Sequence, residues 1–200
     1  MLIHYYEFVD SSDYLSKYLN LLKEILTNSE ISKINSLFDA LNNRFDNKER
    51  VFFAGNGGSA AIASHAATDL SNISINEKKL NAISLTSNIP LITASANDYG
   101  YENLFINIIE NFNPTKKDLV IPISSSGNSK NIINLIDYCN QNDIPTFALL
   151  GFDGGEAKNI ANEAVVLNTP NNYYGPVEDL HMMIFHIYSH ITKNDIKQLK

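Results

Sequence analysis

The sequence is short of cysteine. Cys139 is the one thiol in 200 residues, so no internal disulfide can form. It falls on the apolar stripe of an expected helix and reads as a packing residue. A thiol-poor chain fits a reducing compartment, so a cytoplasmic location is expected. Long hydrophobic runs are missing too. No window approaches the roughly 18 uninterrupted apolar residues of a membrane helix, so no membrane span is expected. The opening MLIHYYEFVDSSDY has no basic segment leading into a long apolar run, and does not read as a signal peptide. Positive charge is scarce: 15 Lys and Arg stand against 22 Asp and Glu, a net charge of −7, which gives no support for a nucleic-acid surface. An anionic small ligand is not excluded, because backbone N–H groups bind anions whatever the net charge. No linker, low-complexity run or internal repeat divides the chain. One domain over residues 1–200 is expected, and 44% hydrophobic residues suffice for a core.

What is present is organised around residues 50–72, RVFFAGNGGSAAIASHAATDLSN. Residues 51–54 are an apolar run that reads as a buried strand. Gly55-Asn56-Gly57-Gly58-Ser59 is too rich in glycine for helix or strand. A helical pattern follows, with His65 and Asp69 four residues apart and so on one face. Strand, glycine turn and helix together aim backbone N–H groups and a helix N-terminus at an anion.

Two amphipathic helices precede this motif, over about 12–27 and from Ser29-Glu30 to about 46. Together they form an N-terminal helical extension. After the motif, 80–85 reads as a second strand. The stretch 88–96 is short and mostly apolar, and Asn97-Asp98-Tyr99-Gly100 reads as the turn that ends it. A helix over 104–112 leads to a third strand at 118–123, with Pro122 near its end. Ser124-Ser125-Ser126-Gly127-Asn128-Ser129 comes next, then a helix carrying Ile132, Ile133, Ile136 and Cys139. Strands at 146–150 and 164–167 flank the turn Asp153-Gly154-Gly155 and a short helix. The last helix, about 176–192, is apolar on nearly every side, which predicts a buried element and suggests a subunit interface.

Strands alternating with helices predict an α/β fold, a parallel sheet with helices on both faces. Ligands then bind at the carboxyl ends of the strands, where strand order reverses. Both the glycine turn and the serine run follow strands and lie on that edge. The glycine turn fits G-x-G-x-x-A, a dinucleotide fingerprint. The second strand, however, ends Leu85-Thr86-Ser87-Asn88, without the acid that holds a ribose hydroxyl, and the P-loop lysine is absent. The plain alternative is a tight turn with Ser59 as a helix cap. The serine run is more specific. Hydroxyls and helix-start N–H groups can satisfy the oxygens of a phosphate without a cation. A helix cap by Ser126 or Asn128 would need one such residue, not five in six.

The segments GNGGSAAIASHAATDL, SANDYG, ISSSGNS and VEDLHMMIFH, in this order and spacing, resemble the sugar isomerase (SIS) domain family, specifically its phosphoheptose isomerases. The resemblance covers about residues 12–193. It implies a three-layer sandwich around a five-stranded parallel sheet in flavodoxin-like order, with N-terminal helices, and a homotetramer with active sites between subunits. It implies that Ser124, Ser125, Ser126 and Ser129 hold the sugar phosphate, and that Asn56, Gly57, Gly58, Asn97 and Asp98 line the sugar. The family's helical histidine matches His65. Asp69 stands where the family has glutamate, Glu178 where it has glutamine, and His186 matches the histidine eight residues on. The resemblance thus implies Asp69, Glu178 and His186 as catalytic, with Asp69 and Glu178 also at the substrate. It further implies a zinc ion per subunit on His65, Asp69, Glu178 and His186.

The implied activity is conversion of sedoheptulose 7-phosphate to D-glycero-D-manno-heptose 7-phosphate in bacterial lipopolysaccharide heptose synthesis. Aldose–ketose interconversion needs a base at the carbon beside the carbonyl and an acid that moves protons between oxygens through an enediol. Carboxylates and histidine suit that work. Asp69 is one methylene shorter than glutamate, a shortfall of about 1 Å, and misplacement on that scale can cost on the order of 100-fold in rate. Two nearby carboxylates would raise the pKa of one of them. The competing reading is a non-catalytic SIS protein that senses a sugar phosphate or binds a replication initiator. A dinucleotide enzyme is the third. The plain reading of the histidines is a surface pair for His65 with Asp69 and a satisfied buried residue for His186. His181 could support the site from behind, while His4 and His190 read as structural.

Overall fold

Strand β1 spans Arg50–Gly55, and its side chains alternate between two cores. Val51 and Phe53 enter one apolar cluster, Phe52 and Ala54 the other. The computed structural model describes residues 11–45, 49–75 and 78–193. Around β1 stand β4 (Asn81–Ser84), β5 (Leu119–Ser124), β6 (Phe147–Gly151) and β7 (Glu163–Leu167). The five form one sheet in the order β4-β1-β5-β6-β7, every pairing parallel. Strand order reverses between β1 and β5, so the crevice of the fold opens at the ends of those two strands. A small antiparallel hairpin, β2 (Ser74–Ile75) with β3 (Lys78–Lys79), stands outside the main sheet.

Helices α1 (Ser11–Ile25), α2 (Asn28–Asn42), α3 (Gly58–Ser71) and α8 (Tyr174–Thr192) cover the face that holds Val51 and Phe53. Helices α4 (Ile89–Tyr99), α5 (Leu104–Glu110), α6 (Lys130–Gln141) and α7 (Ala157–Ile160) cover the other. This is the expected three-layer arrangement, with the N-terminal helices lying on one face. Phe53 meets Phe185 of α8 edge-to-face, with ring centroids 5.5 Å apart at 84°. Losing a buried ring of this kind costs about 3–5 kcal/mol. At the opposite end of the sheet, Arg50 Nη2 lies 2.7 Å from Asp118 Oδ2 and ties the starts of β1 and β5. Burial by itself would raise the Asp118 pKa, but hydrogen bonds from Arg50 and from the Thr115 backbone hold it below the usual carboxylate range.

Three expectations change. Asn97 and Asp98 are the last turn of α4, not a loop. Asn88 caps that helix by accepting from the Leu91 N–H at 3.1 Å, Pro90 sits in its first turn, and Gly100 at φ 83° ends it. Pro122 lies inside the central strand. The β5–β6 ladder passes it by, with bridges at Val120↔Thr146 and Ile123↔Leu149 on one register. Helix α8 is not buried all round in the protomer. Val177, Leu180, Ile184, Phe185 and Tyr188 face the core, while Ile187 and Ile191 are exposed. Cys139 is fully buried, and burial pushes its thiol up to about 12.

Candidate active site

At the carboxyl edge the turn between β1 and α3 is only Asn56 and Gly57. Gly57 is the helix N-cap at φ 54°, a conformation that favours glycine, and Ser59 does not cap but lies buried. Asn56 is fixed by a reciprocal amide pair with buried Asn131 of α6, 2.9 Å in each direction. The Tyr101 hydroxyl donates to Asn56 Oδ1 at 2.8 Å. Asn131 and Tyr101 were not expected at the site. They are distant from Asn56 in sequence, so no local pattern reveals them.

Beside this turn the serine run folds back on itself. Ser124 Oγ accepts from Gly127 N at 3.1 Å, and Ser126 Oγ accepts from Asn128 N at 3.2 Å. Ser125 Oγ is buried and has no partner. Ser129 is the N-cap of α6 but makes no side-chain cap bond. Among the described residues, then, none of these four hydroxyls spends its proton on the protein. Four unspent donors at a helix start suit an anion with several acceptor oxygens. The loop is clamped from outside. Gly127, at φ 63°, lies so close to the Gly154 carbonyl that a Cβ would strike it. Ala157 N donates to Gly127 O at 2.9 Å, and Glu156 N to Asn128 Oδ1 at 3.0 Å.

Asn56, Ser59, Ile123, the four serines, Tyr174 and Glu178 enclose a pocket of about 130 Å³. Tyr174, Ser59 and Ile123 are additions to the expected set. The Glu178 carboxylate reaches across from α8 and rests on Gly58, where a Cβ would collide with it. Burial, then the charge of Asp179, push its pKa above the usual carboxylate range. The raising neighbour is thus Asp179 on the same helix, whereas a carboxylate across the site was expected. Asn97 and Asp98 are exposed, bonded to each other at 2.9 Å, and do not line the pocket.

Along the same two helices a second group assembles. His186 Nε2 lies 3.0 Å from His65 Nε2, and His65 Nε2 lies 3.3 Å from Asp69 Oδ2. The ligand atoms of His65, Asp69 and His186 all fall within 4.8 Å of one another. Ligands about 2.0–2.1 Å from a tetrahedral zinc ion stand roughly 3.3 Å apart, so two imidazoles and a carboxylate at these distances fit zinc. Glu178 is outside the group. His181, by contrast, is fully buried, and burial lowers its pKa to about 4 although Nε2 meets the Leu150 carbonyl at 3.3 Å. It is a neutral core residue. His190 is exposed in the last turn of α8, and His4 lies outside the described residues.

Known proteins resemble this chain in sequence and in fold. The SIS domain profile matches residues 13–151. The phosphoheptose isomerase of Helicobacter pylori is 35% identical over 182 residues, 90% of this chain and 89% of that protein. The structure of phosphoheptose isomerase GmhA from Neisseria gonorrhoeae superposes with a TM-score of 0.79 at 25% identity, covering 90% of this chain and 96% of that one. That of a phosphoheptose isomerase from Francisella tularensis gives 0.79 at 26% identity, covering 93% and 100%. With the serine pocket, the parallel sheet and the sequence matches in agreement, the chain belongs to the SIS domain family.

Proposed function

We propose that the chain is a phosphoheptose isomerase, converting sedoheptulose 7-phosphate to D-glycero-D-manno-heptose 7-phosphate. The observation that carries this is the pocket of four donor-bearing serines with a carboxylate, Glu178, in its wall. The serines take the phosphate. The sugar chain then extends past Glu178 and Asn56 toward the cluster of His65, Asp69 and His186. One carboxylate, Glu178 or Asp69, takes the proton from the carbon beside the carbonyl and returns it to the neighbouring carbon. His186 carries the proton between the two oxygens of the enediol. The raised pKa of Glu178 brings it closer to working pH, as acid–base exchange requires.

Zinc belongs on His65, Asp69 and His186, one ion per subunit; Glu178, whose carboxylate lies against Gly58, would have to swing toward that group to serve as a fourth ligand. When bound, it would polarise the carbonyl and enediol oxygens in place of proton transfer by the His186 nitrogen it would occupy. Leu15 and Leu19 on α1, and Ile187 and Ile191 on α8, are exposed apolar pairs at four-residue steps. They support a subunit interface, and a homotetramer is the assembly assigned. The setting is heptose synthesis for bacterial lipopolysaccharide, in the cytoplasm; among the described residues no helix is long and apolar enough to cross a membrane.

The test is conversion of sedoheptulose 7-phosphate in deuterium oxide, followed by proton NMR. The reading requires an aldose product; deuterium enters at the carbon that receives the proton only to the extent that the carboxylate exchanges with solvent before returning it. Phosphosugar binding without conversion would leave a binding protein instead.

A further inference from the structure

The pocket of about 130 Å³ is smaller than the ~300–1,000 Å³ of sites that enclose a whole small ligand. It accommodates the phosphate end, and the rest of the ligand must pass its rim. Tyr174 stands on that rim. It is the first residue of α8, 47% exposed, and it lines the pocket together with the serines.

Its surroundings single it out. Tyr14 and Tyr173 bond to each other through their hydroxyls at 2.9 Å, and the Tyr18 hydroxyl donates to Asp179 at 2.6 Å. Among the described residues the Tyr174 hydroxyl has no partner. The ring is nevertheless held. Phe152 packs edge-on against it, with centroids 5.1 Å apart at 73°. Phe152 is itself buried and sits at φ 50°, a left-handed conformation that is rare for a bulky residue and persists only where the surroundings impose it. A strained residue thus braces a half-exposed tyrosine whose hydroxyl has no partner among the described residues and which lines the pocket.

We infer that Tyr174 is a specificity-determining residue that contacts the polyhydroxyl chain of the sugar phosphate. This rests on the phosphosugar reading of the serine pocket. The ring covers C–H surface of the chain, and the hydroxyl hydrogen-bonds to a sugar hydroxyl. The serines set affinity for the phosphate; Tyr174 makes the protein distinguish a phosphorylated polyol from phosphate alone.

The experiment is calorimetric titration of the full chain with two probes, sedoheptulose 7-phosphate and inorganic phosphate. Tyr174→Phe, which keeps ring and fold, should weaken sugar-phosphate binding about 3–10-fold. Tyr174→Ala should weaken it about 10–100-fold. Phosphate affinity and the oligomeric state by light scattering should stay unchanged in both. Phe152→Leu, which loosens the ring but keeps its hydroxyl, should fall between wild type and Tyr174→Ala. Wild-type affinity for the sugar phosphate in Tyr174→Phe and Tyr174→Ala would overturn the inference. So would a parallel fall for both probes, or a wild type that binds the two equally. Failure of the isomerase reading looks different: sugar phosphate bound in a Tyr174-dependent way but never converted.

Discussion

The carboxylate of Glu178 fills the space that a Cβ on Gly58 would occupy, so the last helix reaches the first turn of α3 through this one side chain. A methyl group at residue 58 would take the place of that carboxylate. Glu178 is partly exposed and can swing away, so Gly58→Ala should fold normally. With the carboxylate displaced by an ångström or more, turnover should fall on the order of 100-fold. Far-UV circular dichroism and kcat/KM measured together check this; full activity would remove Glu178 from the chemistry.

Ser125 separates ligand binding from stability. Its hydroxyl is buried and has no hydrogen-bond partner among the described residues. Ser125→Ala therefore loses no internal hydrogen bond and relieves an unpaired polar group. Thermal stability should stay level or rise slightly. Affinity for the sugar phosphate should fall about 10–100-fold, as expected for one hydrogen bond to a charged group. A stability loss with unchanged affinity would mean that the hydroxyl serves the fold.

His186 and His65 face each other at 3.0 Å with Asp69 beside them. His186→Ala should abolish turnover and lower zinc content from one ion per subunit to near none, read by metal analysis after dialysis. Asp69→Glu keeps a carboxylate and extends its reach, so it should retain zinc. Zinc retained in full by His186→Ala would show that the ion sits elsewhere.

Burial lowers the pKa of His181 to about 4, from 6.5. Between these values the unfolded chain binds a proton that the folded chain does not. Stability from this group is therefore fully present above pH 6.5 and is lost as pH falls toward 4, by about 3 kcal/mol. His181→Gln keeps a donor for the Leu150 carbonyl and removes the titration. Urea unfolding between pH 4 and 7 should show a shallower slope in the variant, by about one proton. An unchanged slope would mean that His181 is not the buried neutral group described here.

Strands β1, β5 and β6 could be read from the chain because each is a short apolar run closed by glycine or serine, as at Val51 to Gly55 and Leu119 to Ser124. Helix α4 could not. Asn97, Asp98 and Gly100 carry turn chemistry, yet the capping Asn88 and Pro90 at the other end start a helix that runs up to Gly100. The serine run was legible because its four hydroxyls sit together at the end of one strand. Tyr174, Asn131 and the clamp from Gly154 and Gly155 were not, since they reach the site only through folding. His65 with Asp69 was visible as a helical pair; their meeting with His186, across 121 residues, is a product of α3 packing on α8.

The most direct test is conversion of sedoheptulose 7-phosphate by purified protein, first stripped with chelator and then supplied with zinc. An aldose product should form, at a rate that rises when zinc is restored. Turnover indifferent to zinc would contradict the metal assignment alone. No conversion in either state, with the sugar phosphate still bound, would contradict the central claim that this site is an isomerase.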